Sequence, residues 1–152
     1  MGLDMYLEGE KSIWDHHENG QNLKLEILKT VGLEHLLPTI QFVTVKIDLI
    51  YWRKANAIHK WFINNCADGI DDCRECGVEM DQLKELLDIC KQVKTNPEKA
   101  EELLPTEEGF FFGTTEYDEF YYSDINQTIE DLTRITTDPK LEKIWLTYRA
   151  SW

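Results

Sequence analysis

The residues best suited to chemistry lie between positions 51 and 62, in the segment YWRKANAIHKWF. Aromatic rings beside a cation and an amide can stack on a flat ligand and hold an anion, and arginine suits phosphate because its guanidinium donates two parallel hydrogen bonds. The predicted ligand-binding residues are Trp52, Arg53, Lys54, Asn56, His59 and, from a second cluster, Tyr117. The opposite interpretation stays open, in which the tryptophans are core and the bases are solvated or paired with acids.

The second cluster is the stretch TTEYD at 114–118. Glu116 and Asp118 flank Tyr117, and paired carboxylates can support acid–base work. The candidate catalytic residues are therefore His59, Glu116 and Asp118. The alternative is structural, because Thr115 or Asp118 can also cap the following helix by accepting hydrogen bonds from its first amides.

The cysteines offer only half of a metal site. Cys73 and Cys76 have the C-x2-C spacing of a zinc half-site, but no second pair with ligand spacing accompanies them. Asp71 and Asp72 can bind a divalent cation, although paired aspartates in a loop more commonly build a turn. We predict no metal and no cofactor, and reduced thiols in a chain that shows no secretory signal; the role of Cys73 and Cys76 stays open.

Charge is the strongest feature of the composition. The chain has 29 acidic and 16 basic residues among 152, a net charge of −13. Such a chain repels phosphate backbones, so duplex nucleic acid is not an expected partner. Its acidic surface serves either solubility alone or docking onto a basic protein.

The N-terminal residues and the hydropathy pattern bear on location. No window approaches 18 consecutive apolar residues, so no membrane span is predicted. The first residues lack the basic and apolar regions of a signal peptide. We therefore expect a soluble, cytoplasmic protein that does not engage the membrane.

Hydrophobic periodicity predicts the elements that must position these residues. Alternation predicts strands at 2–7, 23–28, 41–49 and 142–149, although 41–49 could already turn into the next helix, and an apolar run bounded by glycines predicts a buried strand at 109–113. Helical spacing predicts helices at 51–65, 80–95 and 118–136, with a short turn or helical piece near 32–38 and a short helix near 97–104. The helix at 51–65 would bury Tyr51, Ala55, Ile58 and Phe62, leaving Trp52, Asn56 and His59 at its margin. This mixed order predicts a single α+β domain over 1–152, an antiparallel sheet with about three to four helices packed against it.

Several blocks of the sequence resemble a family of small uncharacterised proteins of bacteriophages and bacterial genomes. The blocks are MGLDMYL at 1–7, YWRKANAIHKWF at 51–62, DDC at 71–73, LLPT at 103–106 and GFFFGTTEYD at 109–118. The resemblance touches most of the chain and implies a phage or prophage setting, but it brings no reaction or ligand. The shared blocks coincide with the clusters above, which favours one composite pocket. Cys76 lies outside them, which weakens the zinc interpretation further.

Two hypotheses of function follow. The first is a phage-type accessory protein that counters a host defence system by binding, either with an acidic surface on a host protein or by sequestering a nucleotide-like anion. The alternative is a small enzyme acting on a phosphorylated or nucleotide-like substrate, with His59 as acid or base; of the two, the non-enzymatic hypothesis is preferred. A protein target predicts an exposed acidic face, whereas a nucleotide predicts that Arg53, Lys54 and His59 converge on a cavity. A homo-oligomer is also possible.

Overall fold

The computed structural model, which describes residues 2–152, is built on a four-stranded antiparallel sheet. The strands are β1 (Asp4–Trp14), β2 (Phe42–Arg53), β3 (Cys76–Val78) and β4 (Trp145–Ser151), in the spatial order β2-β1-β4-β3. Gly77 of β3 lies opposite Thr147 of β4. The predicted α+β class and antiparallel sheet are thereby confirmed.

Residues 2–152 also form five α-helices: α1 (Gly20–Thr30), α2 (Asn56–Cys66), α3 (Met80–Thr95), α4 (Ala100–Leu103) and α5 (Glu119–Thr137). Short 3-10 helices occupy Glu34–Thr39, Pro97–Lys99 and Pro139–Lys143. Of the four longer α-helices, α2, α3 and α5 correspond to helices that the sequence predicts, whereas α1 occupies a segment for which the sequence predicts a strand. No helix within the described part of the chain is both long enough and apolar enough to cross a bilayer.

The chain packs as two units, one formed by the residues up to Gly9 together with Asp48–Trp152, the other by Glu10–Ile47. In the smaller unit Lys24 is buried, and its ammonium contacts the carboxylate of Asp15 at 2.6 Å and the carbonyl of Ile40 at 2.7 Å. The single domain predicted over 1–152 stays a prediction. Met1, which opens the first recognised block, lies outside the described residues.

The core of the larger unit is built largely from helical stripes. α3 and α5 pack on each other, and the residues predicted for their inner faces are all buried: Leu83, Leu86, Leu87, Cys90 and Val93 on α3, and Tyr121, Ile125, Thr128, Leu132 and Ile135 on α5. Sustained 3.6-residue periodicity over these long helices explains why the sequence predicts them well.

Two predicted elements are of the wrong type, and a third begins later than predicted. Residues 23–28 are helical, because α1 buries Gly20, Lys24 and Leu28 at a spacing of four. The helix predicted from 51 begins at Asn56, since residues up to Arg53 still belong to β2 and Lys54 turns the chain with a φ of +58°. Tyr51 is consequently 44% exposed and no part of a core stripe.

The other element of the wrong type is the strand predicted at 109–113, which is an irregular loop. The ring of Phe112 is buried, while that of Phe110 is 95% exposed. The strands predicted at 2–7 and 41–49 exist and run further, to Trp14 and Arg53. The last strand begins at Trp145 and follows a 3-10 turn.

Candidate functional site

His59, the candidate acid or base, lies in the core with 1% of its surface exposed. Its Nδ1 is 2.7 Å from the Tyr148 hydroxyl and its Nε2 is 3.0 Å from the Asp71 carboxylate. Because a carboxylate only accepts, we assign the ring proton to Nε2, and Tyr148 then donates to Nδ1. Both ring nitrogens are therefore used within the chain.

The His59 network consists of Trp152, Asp71, His59 and Tyr148, linked in that order. The Trp152 indole donates to the second oxygen of Asp71 at 3.2 Å. Tyr148 is 1% exposed and stacks on Phe62 at 4.1 Å, and burial raises the pKa of its phenol well above 10. The network connects α2 with β4 and with the loop before β3, so these side chains stabilise the packing of the three elements.

Asn56 organises residues 105–118, which we call the Phe110 loop. The Asn56 side chain is buried and donates to the carbonyls of Phe112 and Thr114 at 3.0 and 2.8 Å. Its amide oxygen accepts from the Glu107 N–H at 3.1 Å. One side chain thus fixes three points of the loop, which is why a long irregular segment keeps a defined path.

Further contacts fix the same loop. The Lys60 ammonium bonds the Thr106 carbonyl at 3.3 Å and the Glu107 carboxylate at 2.6 Å. The ring of Phe112 packs edge-on against His59, with centroids 5.2 Å apart. Held by these residues of α2, the loop leaves Phe110 as an almost completely exposed aromatic.

Of the six predicted ligand-binding residues, two line the same crevice. Lys54 and Asn56 line a narrow crevice beside the start of α5, together with the catalytic candidate Glu116. The crevice holds about 30 Å³, which is space for about one or two water molecules.

The other members of the set are not among the residues that line that crevice. Trp52 is buried and its indole donates to Thr128 at 2.9 Å. Arg53 is the last residue of β2 and is exposed. Tyr117 packs edge-on against Tyr121, with the ring centroids 4.9 Å apart. Their roles toward a ligand stay predictions, as do those of Lys54, Asn56 and His59.

Asp118, the third catalytic candidate, is the N-cap of α5. Its carboxylate accepts hydrogen bonds from the backbone N–H groups of Phe120 and Tyr121 at 3.0 and 3.1 Å. Asp118 therefore occupies the helix-capping position that the structural alternative in the sequence analysis predicts.

Asp124 is a crevice residue that the sequence analysis does not single out. Burial, aided by the nearby Asp118 carboxylate, raises its pKa to about 6 from an ordinary value of 3.8. The only sequence signal is its place one position before Ile125 on the buried stripe of α5, which is too weak to mark it.

The paired aspartates and the cysteines each have local roles. Asp72 forms an ion pair with Arg74, which holds the pKa of the Asp72 carboxyl below its usual range, and Asp71 belongs to the His59 network. All four cysteines are free thiols. Within residues 2–152 no group of three or more His, Cys, Asp or Glu side chains is arranged to hold a metal ion. The expectation of no metal and no cofactor stays a prediction.

Acidic charge is concentrated around the Phe110 loop. Residues 97–119, which we call the acidic segment, carry eight acidic side chains and one lysine. Its exposed acids are Glu98, Glu101, Glu102, Glu108, Glu116 and Glu119. Phe110 projects from this segment, and Phe120, 67% exposed, follows it directly.

Comparison of the chain with known protein families, with curated proteins and with solved structures found no match. The resemblance to the phage family stays a prediction. Function is therefore inferred from the residues and their geometry.

Proposed function

We propose that this protein acts by binding a basic protein through the Phe110 loop, without catalysing a reaction. The observation that carries the proposal is Phe110 itself, 95% exposed on a loop that Asn56 holds at three points. Buried aromatic anchors contribute much of the energy of protein interfaces. A loop held in place before binding loses little conformational entropy when the partner arrives.

The charge around Phe110 supports a basic partner. The acidic segment has eight acids against Lys99 as its one base, within a chain of net charge −13. Complementary charge accelerates encounter and excludes wrong partners, while the apolar anchor slows dissociation. Acid and aromatic together favour a positively charged surface with an apolar pocket.

The setting of the proposal is a phage-type accessory protein inside a bacterial host. The sequence resemblance implies this setting, and the basic partner is then a host protein of a defence system. A protein that counters such a system by docking needs a preorganised surface and no reaction centre, and the Phe110 loop supplies such a surface.

The nucleotide and enzyme alternatives have less support. Both need His59 to reach a ligand, yet its ring is 1% exposed and both nitrogens are bound within the chain. The crevice that Lys54 lines holds about 30 Å³, far below the roughly 300–1,000 Å³ of small-molecule pockets.

A photo-cross-linking amino acid at position 110 tests the proposal. We expect p-benzoylphenylalanine at this position to cross-link a host protein of basic pI in bacterial cells. The same amino acid at Phe42, which is 45% exposed and outside the acidic segment, is the matched control and should not capture it.

Affinity for the captured protein completes the test. With that protein purified, Phe110→Ala should weaken binding about 30-fold or more, while Phe42→Ala should leave it unchanged. Equal cross-linking at both positions, an acidic captured protein, or unchanged affinity of Phe110→Ala would each refute the proposal.

A further inference from the structure

A groove of about 250 Å³ lies beside the Phe110 loop, between α2, α3 and residues 103–105. Trp61, Ile89 and Leu103 give it an apolar lining, and Lys60, Asn65 and Glu85 add polar groups. Pro105, the first residue of the Phe110 loop, also lines it. The groove and the proposed docking loop therefore form one continuous surface.

The polar side chains of the groove differ in whether their hydrogen-bonding atoms are already bonded within the chain. The Lys60 ammonium is already bonded to the Glu107 carboxylate and the Thr106 carbonyl. The Asn65 amide nitrogen donates to the Trp61 carbonyl at 2.8 Å, which leaves its side-chain oxygen as an acceptor. Glu85 forms no ion pair with any residue from 2 to 152, so a carboxylate and an amide oxygen remain for a ligand.

Size and chemistry together select the occupant. A volume of about 250 Å³ is below that of roughly 300–1,000 Å³ typical for drug-sized ligands, and it suits one long side chain. Arginine has a hydrocarbon stem that packs on apolar surface and a planar fork that binds a carboxylate with two hydrogen bonds. Lysine shares the stem but offers a compact charge without the fork.

We propose that this groove binds one arginine side chain of the basic partner, with the stem on Trp61, Ile89 and Leu103 and the guanidinium on Glu85 and Asn65. The proposal rests on the function proposed above and specifies it. The partner contributes an apolar pocket for Phe110 and an arginine for the groove. Two contacts of different chemistry on one surface give a stricter selection than acidic charge alone.

Peptide titration followed by NMR tests the groove without the partner. The probes are acetyl-Arg-Arg-Arg-amide and the matched lysine peptide, and the signals are the indole N–H of Trp61 and the side-chain amide of Asn65. We expect the arginine peptide to shift both signals saturably, with a Kd at least about threefold below that of the lysine peptide.

A charge-matched pair of variants locates the binding. Glu85→Gln should weaken the arginine peptide about threefold to tenfold. Glu101→Gln removes the same charge from an exposed residue on α4 outside the groove lining, and its effect should be under about twofold. Equal affinities for the two peptides, equal losses in the two variants, or unshifted Trp61 and Asn65 signals would each overturn the proposal.

The two proposals fail separately. If the peptide leaves the groove signals unshifted while Phe110→Ala still abolishes partner binding, the arginine site is wrong and the docking function stands. If the groove selects arginine but position 110 captures no basic protein, the docking function is wrong.

Discussion

Asn56 shows how a buried polar side chain can serve the chain rather than a ligand. Its amide makes three hydrogen bonds to backbone groups of the Phe110 loop. A buried donor or acceptor that loses its partner costs about 1–3 kcal/mol. The main effect of removing the Asn56 amide is therefore that buried backbone groups of the loop are left without hydrogen-bond partners. The same logic holds for His59, both of whose nitrogens have partners in the core.

Replacement of Asn56 therefore tests the loop. We expect Asn56→Ala to lower the free energy of unfolding by about 2–4 kcal/mol and to make the chain near Phe110 sensitive to protease. The control is Arg53→Ala, an exposed neighbour at the end of β2, which should change it by less than about 0.5 kcal/mol. Urea denaturation and limited proteolysis measure the two effects. Identical proteolysis of the two variants would show that the loop does not depend on Asn56.

At the scale of elements, α3 and α5 are the parts most readable from sequence. Their apolar residues repeat over 16 and 19 residues, and every predicted inner position is buried. α1 misleads because its leucines alternate like those of a strand, while one of its buried positions is occupied by Lys24. That lysine is buried because Asp15 and the Ile40 carbonyl receive its ammonium, and no local pattern announces such partners.

The candidate site was less predictable for the same reason. The run Phe110–Phe112 has the composition of a buried strand, yet its path is set by Asn56, more than fifty residues earlier in the chain. The burial of His59 likewise depends on Asp71 and Tyr148. The clusters at 51–62 and 114–118 do contain residues that meet in space, since Asn56 contacts the Phe110 loop. The sequence does not show which residues of these clusters face solvent.

The N-cap of α5 carries the prediction at this scale. Asp118→Ala should lower the free energy of unfolding by about 0.5–2 kcal/mol, because two N–H groups at the start of the helix lose their acceptor. Glu119→Ala, one position further and exposed, keeps the cap and should cost less. Thermal denaturation at constant pH compares them. Partner binding that is retained in folded Asp118→Ala would show that the carboxylate stabilises the helix and does not bind the partner. An unchanged free energy of unfolding would contradict the capping role.

The whole molecule carries a net charge of −13, and most of its acidic side chains are exposed at the surface. Asp124 differs because it is partly buried beside Asp118, which raises its pKa to about 6. In the unfolded chain the same carboxyl ionises near 3.8. Between these values the folded protein binds more protons than the unfolded one, so this group makes stability fall as pH rises toward 6 and then level off.

Asp124→Asn should remove that dependence. At pH 8 we expect the variant to be more stable than the native chain by on the order of 1–2 kcal/mol, a value reduced for the solvent that reaches the group. At pH 3.5 the difference should shrink toward zero, because the carboxyl is then mostly protonated in both states. Glu130→Gln removes the same charge from an exposed position on α5, and it controls for the general relief of repulsion in an acidic molecule. Urea unfolding across pH 3.5–8 measures both variants. A gain from Asp124→Asn that persists at pH 3.5 would show that it does not come from ionisation of this carboxyl, and a gain that Glu130→Gln matches at pH 8 would show that it comes from the net charge of the molecule.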